Sequence, residues 1–325
     1  MVRIALVGCG EHSRSSHATP LARFAAEHRG EIELVAACDL NADRAAEFCR
    51  TFGFARQYTD LDRMLETEKL DGCVSVLPIE HIVNTGIKLL ERRLPCVIEK
   101  PLGTSREEAE RLSLVARKTQ TTHMVSVNRR FMPYLNEVRS WIQECGPLRY
   151  VRAVQVRHAR SEEDFIWSTT IHVMDALRHF VGEVETFDVD IQQPVGSSAT
   201  WYRISLLFKN GVTGTVEVLP TAGMVEESYE FFGDGFRARV SAGSGPQRSM
   251  ECWQEDKLVA DSKADESEAE DLRNGAYQEV QEFVRALRTG TRAFPEVDDV
   301  LPSARICFAI ADSVTRPITL SSVKS

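Results

Sequence analysis

The first third of the chain alternates short runs of β-branched and aliphatic residues with amphipathic stretches. That is the rhythm of parallel strands joined by crossover helices. The runs predict strands at Arg3–Val7, Glu33–Cys38, Ala55–Tyr58, Gly72–Leu77, Pro95–Ile98 and His123–Val127. Among the stretches between them, Arg106–Lys118 is the clearest helix, because Ser105 and Glu108 stand at capping-box spacing. From Asn128 the pattern changes to a connecting helix that ends at Gly146-Pro147. Longer strand-like runs follow at Leu148–Val156, Trp201–Lys209, Val212–Leu219, Ser228–Phe232 and Phe236–Val240. Lys209-Asn210-Gly211 and Gly233-Asp234-Gly235 supply two hairpin turns. Gly275–Thr289 reads as a helix with Ala276, Tyr277, Val280, Phe283, Val284 and Leu287 on one stripe, stopped by Gly290. The acidic stretch Asp261–Asp271 lacks apolar periodicity and reads as a solvated loop. The expected fold is α/β: a doubly wound parallel-sheet domain over residues 1–122, then an α+β domain with a large, mainly antiparallel open sheet over 123–325.

Composition narrows the functional classes. The 325 residues carry 39 Lys and Arg against 48 Asp and Glu, a net charge of −9, which disfavours nucleic acid and anionic membranes as partners. No apolar run approaches the roughly 18 to 20 residues of a membrane span, and the start MVRIALVGCG lacks the features of a signal peptide. A cytoplasmic protein is expected. The eight cysteines form no Cys-x-x-Cys pair, which argues against a zinc cage or redox dithiol, so they read as small core residues in a reducing compartment.

The first candidate chemistry follows the first strand, where Gly8-Cys9-Gly10-Glu11-His12-Ser13 is a Gly-x-Gly-x-x-Gly pattern with serine in third place. The first glycine permits a tight turn, and the second lets backbone amides approach a pyrophosphate over the next helix. The second strand ends at Cys38-Asp39, where a carboxylate can accept ribose hydroxyls and repel a 2′-phosphate. Leu40 and Asn41 offer no compensating cation, so NAD is expected over NADP. Asp39 lies further from the glycines than usual, and an irregular stretch at Ser15–Pro20 is expected to absorb the excess.

Further on, a buried strand delivers Glu99-Lys100-Pro101-Leu102-Gly103 at its carboxyl end. With the glycine loop, Leu77-Pro78, His81 and Asn128-Arg129-Arg130-Phe131, the chain resembles the glucose-fructose oxidoreductase/inositol dehydrogenase (Gfo/Idh/MocA) family. The likeness is close over the first 145 or so residues. It implies a Rossmann domain and an NAD(P)-dependent dehydrogenase acting on sugars, inositols or related polyols. It also implies cofactor contacts from Gly8, Gly10, Glu11, His12, Asp39, Leu77, Pro78, His81, Glu99, Lys100 and Asn128. Lys100, partly desolvated beside the nicotinamide, would sit near the reacting oxygen with a lowered pKa.

Family members carry Asp-x-x-x-His at the start of a helix in the second domain. Here His172 matches the histidine, and Ser168 stands where the aspartate would be. His172, Asp175 and His179 fall on one helical face. Asp175 is expected to orient His172 or bind substrate, while His172 exchanges the hydroxyl proton and Lys100 polarises the oxygen. The same spacing could hold a metal, but hydride chemistry with Lys100 needs none, and none is expected. Arg129, His158, Arg160, Trp167 and Ser168 are the expected substrate contacts; the cations would suit a carboxylated or phosphorylated ligand, or else remain solvated strand-edge charges. A homodimer or homotetramer built on the open sheet is expected. Two alternatives stay open: a same-fold reductase of a non-sugar acceptor, and a catalytically silent NAD-binding regulator, for which Ser168 is the best evidence.

Overall fold

The computed structural model of the protein describes residues 1–197, 199–243, 248–265 and 267–314. Its first sheet is parallel throughout, with strands β1 (Val2–Val7), β2 (Ile32–Cys38), β3 (Arg56–Tyr58), β4 (Gly72–Ser75), β5 (Cys96–Glu99) and β6 (His123–Ser126) in the order β3-β2-β1-β4-β5-β6. The chain reverses direction across this order between β1 and β4, which opens a crevice at the strands' carboxyl ends. The crossovers are α1 (Glu11–Ser13) and α2 (Thr19–Glu27), α3 (Ala42–Phe52), α4 (Leu61–Thr67), α5 (Ile79–Glu91) and α6 (Arg106–Thr119). Asn41, Asp60 and Ser105 cap the first turns' free amides at the starts of α3, α4 and α6.

Three local readings change. Ser15–Pro20 is helical rather than irregular: a π-turn over Arg14–Ala18 links α1 to α2, so the extra length is absorbed inside a continuous helix. Pro20 sits in the first turn of α2, where its missing N–H costs little. The capping box is half formed. Ser105 accepts from the Glu108 amide, but Glu108 Oε2 turns to the amide and hydroxyl of Thr104, both 2.8 Å away. Finally, β6 ends at Ser126, one residue short of the expected Val127.

A short 3₁₀ turn at Asn128–Phe131 and α7 (Pro133–Cys145) lead into the second sheet. It contains β7 (Leu148–Val156), then, after α8 (Phe165–Ser168) and α9 (Ile171–Val181), β8 (Val184–Gln192), β9 (Trp201–Phe208), β10 (Thr213–Leu219), β11 (Glu226–Gly233), β12 (Phe236–Ser241), β13 (Ser249–Gln254) and β14 (Lys257–Lys263). Their order is β14-β13-β12-β11-β7-β10-β9-β8, antiparallel except for β7 beside β10. Both expected hairpins are present, joining β9 to β10 and β11 to β12. One face buries Val151, Ala153, Ile204, Val216, Phe231 and Val240 under helices. The other is laced by ion pairs, Arg152 with Glu217 and Glu230, and Arg237 with Glu230.

The chain then returns through α10 (Glu270–Arg273), α11 (Ala276–Thr289) and α12 (Val297–Val314) to pack on the first unit. Tyr277 and Phe283 of α11 join Val2, Ile4 and Phe24 in one core. The stretch Asp261–Asp271 is not a loop throughout: Asp261 lies within β14, which ends at Lys263, and Asp271 is buried against Arg23, Nε to Oδ2 2.7 Å. No helix among the described residues is long and apolar enough to cross a membrane.

Candidate active site

β1 ends at Gly8, whose φ of +91° turns the chain sharply. A Cβ there would lie 1.8 Å from the Val76 carbonyl oxygen, so only glycine fits. At Gly10 nothing lies within 4 Å of an added Cβ, which leaves room for a ligand against the backbone. Gly8, Gly10, Glu11, His12, Asp39, Leu77, Pro78 and His81 all line one cleft of about 760 Å³. The Asp39 carboxylate is held by the Cys9 amide at Oδ2 (2.7 Å) and the Asn41 amide at Oδ1 (2.8 Å). Each oxygen keeps a second lone pair for a ribose hydroxyl. Arg44, one turn into α3, also lines this cleft. It is a cation that attention to Leu40 and Asn41 alone overlooks.

Past His12 the cleft meets two further cavities, an outer one of about 590 Å³ and an inner one of about 180 Å³. Both are lined by Lys100 and His172. An amine from the end of β5 and an imidazole from the start of α9 therefore face the same space, although they are far apart in sequence. Lys100 Nζ donates to the Ser168 carbonyl at 3.3 Å. Burial lowers the pKa of Lys100, with Glu99 opposing and Arg129 adding to the shift. Burial also pushes His172 well below the ordinary histidine range, and the positive charges of Arg129 and Lys100 push it further. The ring is neutral at neutral pH and able to accept a proton.

Glu99 is buried beneath this pair, where His17 Nε2 donates to Oε1 at 2.5 Å and His12 Nε2 to the same oxygen at 3.2 Å. Burial raises its pKa, but these hydrogen bonds outweigh burial and hold the carboxyl well below its usual range. The three ligand atoms lie within 4.8 Å of one another. The His17–Glu99 separation, however, is a hydrogen-bond length, shorter than the roughly 3.3 Å between two ligands on a tetrahedral metal at about 2.0–2.1 Å. The cluster is a hydrogen-bonded anchor for the strand end that carries Lys100.

Asp175 does not orient His172. Its oxygens are taken by Arg130 (Nε to Oδ2 2.7 Å, Nη2 to Oδ1 2.8 Å) and by Ser303 Oγ (2.9 Å). A buried carboxylate goes to the strongest donor in reach, and a bidentate guanidinium beats a lone imidazole. His179 contacts Arg139 and the rings of Phe180 and Phe294, so the alternative metal trio His172, Asp175 and His179 does not converge. Ser168 Oγ lies 3.4 Å from Thr169 Oγ1, and Nδ1 of His172 is buried without a hydrogen-bond partner.

Of the expected substrate contacts, Arg129, Arg160 and Ser168 line the outer cavity. His158 is exposed and lines neither cavity, because successive side chains leaving β7 alternate sides and it is Arg157 that turns inward. Trp167 lines neither cavity and packs on Phe308 with ring centroids 5.6 Å apart. Three site residues went unread in the sequence. Glu227 of β11 is buried and binds Arg129 (2.8 and 3.0 Å) and Arg157 (2.6 Å). Burial raises its pKa, but the two guanidiniums dominate and hold it far below the carboxylate range. His17 and Glu279 complete the set. Glu279 was legible, since it falls on the apolar stripe of α11 with Ala276, Val280 and Phe283.

A model of an oxidoreductase family with an NAD-binding Rossmann fold matches residues 2–128. The chain is 25% identical to the rhizopine catabolism protein MocA of Rhizobium meliloti, over 97% of this chain and 96% of that protein. It is 26% identical to glucose-6-phosphate 3-dehydrogenase of Bacillus subtilis, over 51% of this chain and 46% of that enzyme. In fold it is similar to a dehydrogenase of Chromobacterium violaceum, with a TM-score of 0.86 at 19% identity over 97% of this chain and 96% of that one.

Proposed function

We propose that this chain, which a model of an oxidoreductase family with an NAD-binding Rossmann fold matches over residues 2–128, is a Gfo/Idh/MocA oxidoreductase that interconverts a secondary alcohol and a ketone on a sugar, inositol or related polyol derivative. The observation that carries this reading is the meeting of Lys100 and His172 on one space that adjoins the dinucleotide cleft. The residues of that cleft fit the cofactor: open space at Gly10 for a pyrophosphate and free lone pairs on Asp39 for a ribose. When bound, NAD(P) supplies the hydride acceptor or donor. His172, kept neutral, takes the hydroxyl proton in the oxidative direction. Lys100 has two N–H groups left after its bond to Ser168, and it steadies the negative charge growing on the substrate oxygen. Arg129 and Arg157 share one buried carboxylate, which leaves a net positive charge behind the substrate and suits an anionic substituent. Asp39 favours NAD, and Arg44 moderates that preference.

The test is nicotinamide absorbance on a panel of polyols, sugar phosphates and aldonates, with His172→Ala as the partner variant. Turnover on a panel member, falling roughly 10²-fold or more in the variant with nucleotide affinity kept, is expected. Unchanged turnover removes His172 from the mechanism. The orphaned Nδ1 of His172 favours a second reading, a nucleotide-binding regulator, which predicts tight NAD(H) binding with no turnover on any panel member.

A further inference from the structure

The inner cavity runs from Lys100 and His172 back to the first turn of α11, where Glu279 closes it. Glu279 is 5% exposed. Its Oε2 accepts from Ser126 Oγ at 3.0 Å, and its Oε1 is buried with no hydrogen-bond partner among the described residues. A buried polar atom left unpaired costs free energy comparable to a lost hydrogen bond, so native sites that keep one usually meet a ligand there. The cavity wall beside it comes from the carboxyl ends of β5 and β6, with Glu99, Lys100, Ser126 and Asn128. In a doubly wound sheet that is where the nicotinamide end of a dinucleotide lies, the adenosine end being held by the glycine loop and Asp39.

We propose that Glu279 is a cofactor-binding residue, donating a hydrogen bond from Oε1 to the carboxamide oxygen of the nicotinamide. Donation requires the protonated acid. Burial, and next the negative charge of Glu99, raise this carboxyl well above its usual range, so it holds its proton at neutral pH. The two neighbouring acids thereby divide their roles: Glu99 is ionised against His17 and His12, and Glu279 is neutral and faces an uncharged oxygen. Ionising both would put two like charges on one cavity. A neutral donor also carries no charge that would alter the ring's ability to take hydride. The inference rests on the cleft being the dinucleotide site and adds a residue that anchors the reactive ring.

Equilibrium binding decides it on the full chain, using NADH, NAD+, ADP-ribose and the thionicotinamide analogue of NAD+, in which a sulfur replaces the carboxamide oxygen. Glu279→Gln keeps an acceptor for Ser126 and an N–H donor toward the cavity, so NADH affinity within about threefold of wild type is expected. Glu279→Leu keeps the volume and loses the donor, so NADH affinity should fall about tenfold or more while ADP-ribose binds as before. On wild type the thio analogue should bind about tenfold more weakly than NAD+, a difference that disappears in Glu279→Leu. The proposal is overturned if Glu279→Leu binds NADH like wild type, or if ADP-ribose affinity falls in parallel, which would mark a purely structural role. Should the leucine variant fail to fold, equal binding of NAD+ and its thio analogue to wild type overturns it alone. A wild-type protein that binds no dinucleotide removes the underlying reading as well.

Discussion

Glu227→Gln tests whether the second sheet holds the site electrostatically. Glu227 is 2% exposed and accepts two hydrogen bonds from Arg129 (Nε 3.0 Å, Nη2 2.8 Å) and one from Arg157 (Nη2 2.6 Å). The glutamine keeps the shape and one acceptor oxygen but leaves two buried guanidiniums facing each other without a counter-charge. Removing one partner of a buried ion pair costs roughly 3–5 kcal/mol, and the retained acceptor puts this variant near the lower end, about 3 kcal/mol. Urea unfolding followed by circular dichroism should show an earlier midpoint at unchanged slope. The pH dependence gives a second check with a fixed sign. The folded-state pKa lies below the unfolded one, so the carboxylate's contribution is complete above the ordinary carboxylate range. It is lost as pH falls below that range. The gap between wild type and variant should therefore close in acid. A stability change under about 0.5 kcal/mol at neutral pH, or a gap that widens as pH falls, would refute the assignment.

Two shorter predictions accompany it. Asp175→Asn should destabilise the fold by about 3 kcal/mol through the loss of Arg130's bidentate partner, while the pH profile of turnover in the folded fraction stays that of wild type; a displaced profile would return Asp175 to the catalytic machinery. Arg44→Ala should weaken NADP binding roughly two- to fivefold, the worth of an exposed ion pair, and leave NAD affinity unchanged; equal effects on both cofactors would show that Arg44 does not meet the 2′-phosphate.

The six strands of the first sheet were legible because five of them present mostly buried apolar residues, and a buried parallel strand announces itself as a continuous run. The glycine loop and Glu99-Lys100 were legible for a related reason, since a turn at a strand's carboxyl end is written in consecutive residues. The strands β8, β13 and β14 were not read. In β8 the alternation was present and missed, since Phe187, Val189 and Ile191 pack on the core between Asp188, Asp190 and Gln192; in β14 no residue is fully buried, and the alternation that would reveal a strand is lost. At the site, helical spacing correctly put His172 and Asp175 near each other in sequence but could not say which partner each would choose. Asp175 went to Arg130, 45 residues away, and Arg129 to Glu227, 98 residues away. Periodicity is a local property and the sequence by itself determined the elements and their buried faces. The pairing of charges depends on which elements the core brings together, and there the tertiary structure decided, because a desolvated charge binds the best-placed opposite group wherever in the chain it originates.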